Sequence, residues 1–325
     1  MPKFTLTKAL ADTKKVIEEE SAKLSDMESE GLFSPIKYTL DLGGKRLRPL
    51  LALLAYKACN PKGKLATIKP VMKAVELFHN FSLIHDDLMD DAPIRRGQPT
   101  VYKKWGSAQA VLSGDAMLIE AYSALSKADL DLIPMLLDTF NKTARSVCIG
   151  QQMDMEFETR PLADISIDEH LEMIYQKTGA LLSGSAGMGA LVGGISSPEE
   201  LVILMTSVSS FGLAFQIMDD YLDLFSEEEE FGKRRGGDVL EGKRTWLLLD
   251  AYAQSPAEVE KALAIEGDDE KINAMTDLYR KLHIDEDALG MVEDLTNNAI
   301  DILENLPFDT PLFTELYASL LGRRS

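Results

Sequence analysis

Three observations predict an all-α protein. Apolar residues recur at helical spacing over most of the 325 residues, no stretch alternates convincingly at period two, and Gly or Pro breakers fall between the periodic segments. A hydrophobic share of 45% is ample for a sizeable core, and neither a repeat nor a low-complexity linker divides the chain. One domain, residues 1–325, is the simplest reading: a bundle of roughly ten or more helices.

In chain order, helices are expected over residues 50–58, 71–89, 108–125, 135–158, 167–192, 199–225 and 245–253. Several of these are apolar most of the way round, which puts them inside a bundle rather than on its surface. The breakers between them are Gly43-Gly44, Pro61-Lys62-Gly63, Pro93, Gly193-Gly194 and Gly236-Gly237. Residues 226–244 differ, with a run of four Glu, then Phe-Gly-Lys-Arg-Arg-Gly-Gly-Asp, and few core formers. On composition this is a solvated connecting loop; a mobile lid is the reading if its basic residues face a phosphate site.

Bulk charge narrows the function. A net charge of −19 argues against a nucleic-acid partner, which needs a basic face. Cys59 and Cys148 lie in apolar or small-residue stretches without metal spacing and read as reduced, buried thiols, consistent with the cytoplasm. Met1-Pro2-Lys3-Phe4 does not open a signal peptide, and no apolar segment is read as reaching the roughly 18 residues of a membrane span.

Acidic residues cluster twice. Asp86, Asp87, Asp90 and Asp91 end the run from Phe78, and on a helix the pairs 86/90 and 87/91 are i,i+4 neighbours while 87/90 is i,i+3. Like charges about 4–5 Å apart cost a few kcal/mol at an effective dielectric near 20, so a cation is expected to neutralise them. Asp219, Asp220 and Asp223 repeat the geometry after Phe215-Gln216-Ile217-Met218. Facing each other across a bundle, the two clusters would hold Mg2+ ions that take their remaining ligands from water and substrate phosphates.

Basic residues suited to a diphosphate accompany them. Lys45, Arg46 and Arg48 follow the Gly43-Gly44 turn, and Arg95-Arg96 follows the first acidic cluster. Lys177-Thr178, Lys233 and Lys243 are further candidates. His79 lies seven residues before Asp86, two turns along the same face. His85 and His170 read as ordinary histidines. Four histidines without HExxH or Cys/His spacing make zinc improbable, and no Gly-rich nucleotide loop is present.

In this order the motifs resemble the trans-isoprenyl diphosphate synthases, or polyprenyl synthetases, over residues 43–246. They are Gly-Gly-Lys-Arg-Leu-Arg-Pro (43–49), His-Asp-Asp-Leu-Met-Asp-Asp-Ala-Pro-Ile-Arg-Arg-Gly (85–97), Gly-Asp-Ala-Met-Leu (114–118), Gly-Gln-Gln-Met-Asp (150–154), Lys-Thr-Gly-Ala-Leu (177–181), Phe-Gln-Ile-Met-Asp-Asp-Tyr-Leu-Asp (215–223) and Gly-Lys-Arg-Arg-Gly-Gly-Asp (232–238). The resemblance implies an isoprenoid synthase fold around a deep apolar cavity, usually as a homodimer. Lys45, Arg48, His79 and Arg96 would hold isopentenyl diphosphate. Arg95, Lys177, Thr178, Gln216, Lys233 and Lys243 would hold the allylic diphosphate. Asp86, Asp87, Asp90 and Asp219, with Asp220 and Asp223, would ligate Mg2+, three ions per site with substrate bound. Arg323-Arg324 would close over the site as in some relatives.

The implied reaction is ionisation of the allylic diphosphate, attack by the isopentenyl double bond, and loss of a proton. In the family pattern Phe81 and Phe78, five and eight positions before Asp86, form the floor that limits chain growth. Small Ser82 and the lack of a two-residue insertion favour geranylgeranyl over farnesyl diphosphate as product. A class I terpene cyclase and a non-catalytic partner subunit are the rivals, and both fit the two complete aspartate motifs less well.

Overall fold

The computed structural model describes residues 4–25, 30–226 and 235–322. The chain groups into two compact units, one of residues 1–144, 181–205 and 306–315, the other of residues 145–180, 206–305 and 316–325.

The first unit opens with α1 (Leu6–Ser25), α2 (Glu30–Asp41), α3 (Leu47–Cys59) and α4 (Leu65–Met89). A hairpin of β1 (Ile94–Arg95) and β2 (Gln98–Pro99) follows, then α5 (Val101–Trp105) and α6 (Ser107–Leu125). α4 packs along α6 and α3 through a buried stripe that includes Ile68, Met72, Val75 and Phe78. α4 stops where it does because Asp90 closes the last turn onto the Asp86 carbonyl and Asp91 turns left-handed, at φ 51°. The expected i,i+4 pairing of Asp87 with Asp91 is therefore corrected: Asp91 bonds to Tyr102 Oη at 2.7 Å instead. The hairpin escaped the periodicity test because two residues per strand are too few to alternate. Its turn, Arg96-Gly97, has both φ positive, at 52° and 72°, as a tight ribbon demands.

The remaining helices are α7 (Ile133–Thr159), α8 (Ile167–Ile174), α9 (Ala180–Gly193), α10 (Pro198–Phe225), α11 (Gly237–Glu241), α12 (Trp246–Gln254), α13 (Pro256–Leu263), α14 (Asp268–Lys281), α15 (Ile284–Leu303) and α16 (Pro311–Leu321). Within the second unit, Phe157, Ile165, Met173, Ile174 and Leu249 form a buried cluster. Phe211 of α10 stacks on Tyr317 at 4.4 Å, and the Ser207 hydroxyl donates to the Ala299 carbonyl at 2.7 Å.

Four expectations change. The helix expected over 167–192 is interrupted by a π turn, Tyr175–Gly179, between α8 and α9. The segment 226–244 contains α11, while its residues 227–234 fall outside the described set. Cys148 is exposed and Cys59 half-buried, since helical periodicity turns position 148 outward. Finally, α10 is long and apolar enough to cross a membrane, with mean hydropathy 1.8 over an 18-residue window. Half of that window is buried inside the protein, as in a core helix.

Candidate active site

The Gly43–Arg46 turn sends its cations in two directions. Arg46, left-handed at φ 49°, points inward, its guanidinium on the Leu40 carbonyl and 2.5 Å from Glu76 Oε1. Glu76 is only 2% exposed and also accepts from Asn80 Nδ2 at 2.9 Å, so this pair anchors the turn to α4. Lys45 stays exposed. Arg48, one turn into α3, donates from Nη1 to His79 Nε2 at 3.1 Å. Arg96 reaches back from the hairpin to donate to the Gly43 carbonyl. Sequence-chosen Arg48, His79 and Arg96 are thus brought around one turn, with Lys45 beside them.

The electrostatics of this corner are cationic. Burial first, then Arg48, Arg96, Arg95 and Arg46, hold the His79 imidazole well below its ordinary value. His79 is a neutral acceptor toward Arg48. Burial and Arg46 also lower Arg96. Such crowding of positive charge in a partly buried corner suits an anion.

At the end of α4, Arg95 Nε donates to Asp87 Oδ1 at 2.7 Å, and its Nη2 lies 3.5 Å from Asp86 Oδ2. Asp87 is 4% exposed, whereas Asp90 is exposed at the helix cap. Arg95 thus occupies the face that the sequence assigned to a cation.

In the second unit, Thr178 Oγ1 donates to Gln216 Oε1 at 3.2 Å, and Gln216 Nε2 donates to Asp220 Oδ1 at 2.9 Å. Two residues chosen from sequence thereby orient a third. Burial, then Asp238 and Asp219, push the Asp220 carboxyl well above the usual carboxylate range. Asp223 Oδ2 accepts the Asp238 backbone N–H at 3.1 Å, securing the start of α11. Lys243 lies 3.3 Å from Asp238 and 2.8 Å from Glu241; despite burial, these acids raise its ammonium above its ordinary value. Lys177, in the π turn, donates to Asp154 Oδ2 at 2.5 Å. Lys233 and Arg323-Arg324 lie outside the described residues.

Sequence reasoning passed over Asp154, Asp238 and Gly150. Asp154 closes the Gly-Gln-Gln-Met-Asp motif and was visible as the only acid in it. Gly150 gave no signal of its own: a Cβ there would overlap the backbone of Gln176 and Lys177, so glycine lets α7 press against the π turn. Among the described residues, no three His, Cys, Asp or Glu side chains converge as a ready-made metal cage.

The family description Polyprenyl synthetase matches residues 29–282. A geranylgeranyl diphosphate synthase of Methanosarcina mazei is 43% identical over 69% of this chain and 68% of its own. A geranylfarnesyl diphosphate synthase of Natronomonas pharaonis is 32% identical over 92% of each. A crystal structure of a geranylgeranyl pyrophosphate synthase superposes with a TM-score of 0.91 and 37% identity, covering 99% of this chain and 100% of that one.

Proposed function

Since the chain belongs to the polyprenyl synthetase family and is a trans-prenyltransferase, we propose that it joins isopentenyl diphosphate head to tail to allylic diphosphates, ending at geranylgeranyl diphosphate. The observation that carries this reading is the cationic corner of Arg48, His79 and Arg96 at the Gly43 turn, in the same unit as Asp86 and Asp87.

Lys45, Arg48, His79 and Arg96 grip the isopentenyl diphosphate, with Arg48 offering its planar fork and neutral His79 orienting it. Arg95, Lys177, Thr178, Gln216, Lys233 and Lys243 serve the allylic diphosphate. Asp86, Asp87, Asp90, Asp219, Asp220 and Asp223 are the donors for divalent ions. Their fit rests on donor chemistry: hard carboxylate oxygens, with Asp220 raised first by burial and then by its acidic neighbours Asp238 and Asp219, as suits a cation completed by water and substrate oxygens. Held by these carboxylates, Mg2+, three ions per site in this reading, would supply charge neutralisation for the departing diphosphate. Lys177 and Arg95 hold the growing negative charge as the allylic C–O bond breaks with its electron pair on oxygen. The isopentenyl double bond then forms the new C–C bond, and a proton passes to the released diphosphate. Phe78 and Phe81 close the floor under the growing chain, so Phe81→Ala lengthens the product by at least one isoprene unit in a chain-length assay.

The enzyme works in the cytoplasm as a homodimer in this reading, across residues 1–325 as one synthase domain. Exposed Val111, Leu112 and Ile119 on α6 support a second copy. Incubating the purified chain with isopentenyl diphosphate, each allylic primer and Mg2+, then chromatographing the dephosphorylated products, tests the activity. C20 alcohol is expected, and EDTA abolishes it. A C25 product reassigns the length, and no elongation from any primer overturns the reading.

A further inference from the structure

The aromatic rings of α4 form a continuous ladder, and its end nearest the acidic cluster is held by a gap in a facing helix. Phe81 and Phe78 lie 5.4 Å apart between ring centroids. Phe78 is 2% exposed and set edge-on against Phe140 at 5.4 Å, which in turn meets Tyr122 at 5.1 Å. Tyr122 is tied by its hydroxyl to Asn141 Oδ1 at 2.6 Å. Phe78 thus sits in close-packed core and has nowhere to go. Phe81 is half-buried, and what limits it on its other side is His85, one turn along, with ring centroids 4.8 Å apart at 68°.

His85 is itself held from α6. Its Nε2 lies 3.3 Å from the Val111 carbonyl and 3.9 Å from Asp115 Oδ1. Between those two contacts stands Gly114, where an added Cβ would overlap the His85 ring at Nε2 and Cδ2 and crowd Cε1. The ring occupies the space that a side chain at 114 would fill. Any change at 114 pushes His85 off α6, and the neighbour in contact along α4 is Phe81.

We propose that His85, seated in the gap at Gly114, is a positioning residue for Phe81 and so sets product length without touching the diphosphates. The inference rests on the chain-elongation reading and adds a determinant on the facing helix, at a residue beside the acidic cluster rather than in the floor. Removing the ring frees Phe81 to swing up and deepens the floor. Filling the gap drives His85 onto Phe81 and narrows it.

The test measures product ratios from farnesyl and geranyl primers for wild type, His85→Ala, His85→Phe and Gly114→Ala, each checked for folding by circular dichroism. His85→Ala raises the ratio of products one isoprene unit longer by roughly threefold to tenfold. His85→Phe keeps a ring against Phe81 and restores the wild-type ratio. Gly114→Ala shifts products shorter, and adding His85→Ala to it removes that shift. The KM for isopentenyl diphosphate stays within about twofold throughout, which separates positioning from damage to the site. If Gly114→Ala fails to fold, the His85→Ala and His85→Phe pair still decides. Wild-type ratios in His85→Ala, or equal behaviour of His85→Ala and His85→Phe, overturn the inference while leaving elongation intact. Absence of product from the wild type overturns the underlying reading instead.

Discussion

Arg48 and His79 show what one hydrogen bond does in a crowded cationic corner. Because His79 accepts from Arg48, the guanidinium is steered before any anion arrives, and the histidine adds no charge of its own. Loss of a charge-assisted contact costs about 1.5–3 kcal/mol, so Arg48→Ala raises the KM for isopentenyl diphosphate roughly 10- to 100-fold in initial-rate kinetics. The KM for the allylic primer changes far less. His170 plays the opposite part. It is 2% exposed, neither ring nitrogen has a partner among the described residues, and burial takes its imidazole down to about 4. The unfolded chain protonates first, near pH 6.5, and the folded one only near 4, so folding stability falls as pH drops through that interval. Denaturant titrations at pH 7 and pH 4.5 are expected to differ by up to about 3 kcal/mol from this group. His170→Phe flattens that dependence.

At the scale of elements, the π turn at Tyr175–Gly179 matters most, because it carries Lys177 and Thr178. α7 approaches so closely at Gly150 that a methyl group would meet backbone, which cannot step aside as a flexible side chain can. Gly150→Ala is expected to lower kcat by roughly tenfold to a hundredfold through misplacement of Lys177, in steady-state assays with saturating substrates. Restoring Lys177 contacts through Asp154 cannot compensate, since the displaced atoms are main chain. The helices bearing motifs were legible in the sequence because their apolar spacing is strong, and α4 and α10 end within a residue or two of expectation. The π turn was not legible: its residues keep helical spacing on either side, and an inserted residue leaves no compositional mark. Nor was the inward turn of Arg46, because Gly-Gly-Lys-Arg-Leu-Arg contains three equivalent cations and only the buried Glu76 selects one of them. Local pattern names candidate residues; for Arg46, Arg48 and Lys177 the orienting partner comes from a distant helix.

At the scale of the whole molecule, the proposed homodimer would dock through the exposed apolar residues on α6. Leu112 and Ile119, 57% and 64% exposed, stand seven residues apart, two turns along one face. Ile119→Glu places a charge there and is expected to convert a dimer into a monomer by sedimentation velocity, while circular dichroism stays unchanged. Val111, exposed on the same helix, lies with its carbonyl 3.3 Å from His85 Nε2, so oligomeric state and product length are measured on the same variants. The sequence signalled the family through its ordered motifs and left the dimer to resemblance alone, because an exposed Ile on a helix looks like any other Ile until its neighbours are known.

The greasy length of α10 has a consequence for biogenesis. Its covering partners, Leu295, Ala299 and Tyr317, are encoded some 80 to 110 residues after the serines and Phe211 they contact. At ribosomal speeds of about 5–20 residues per second, that segment emerges several seconds before its lining exists. During those seconds it offers nascent-chain chaperones, and the machinery that sorts membrane proteins, an apolar stretch of span length, which the two last helices then cover.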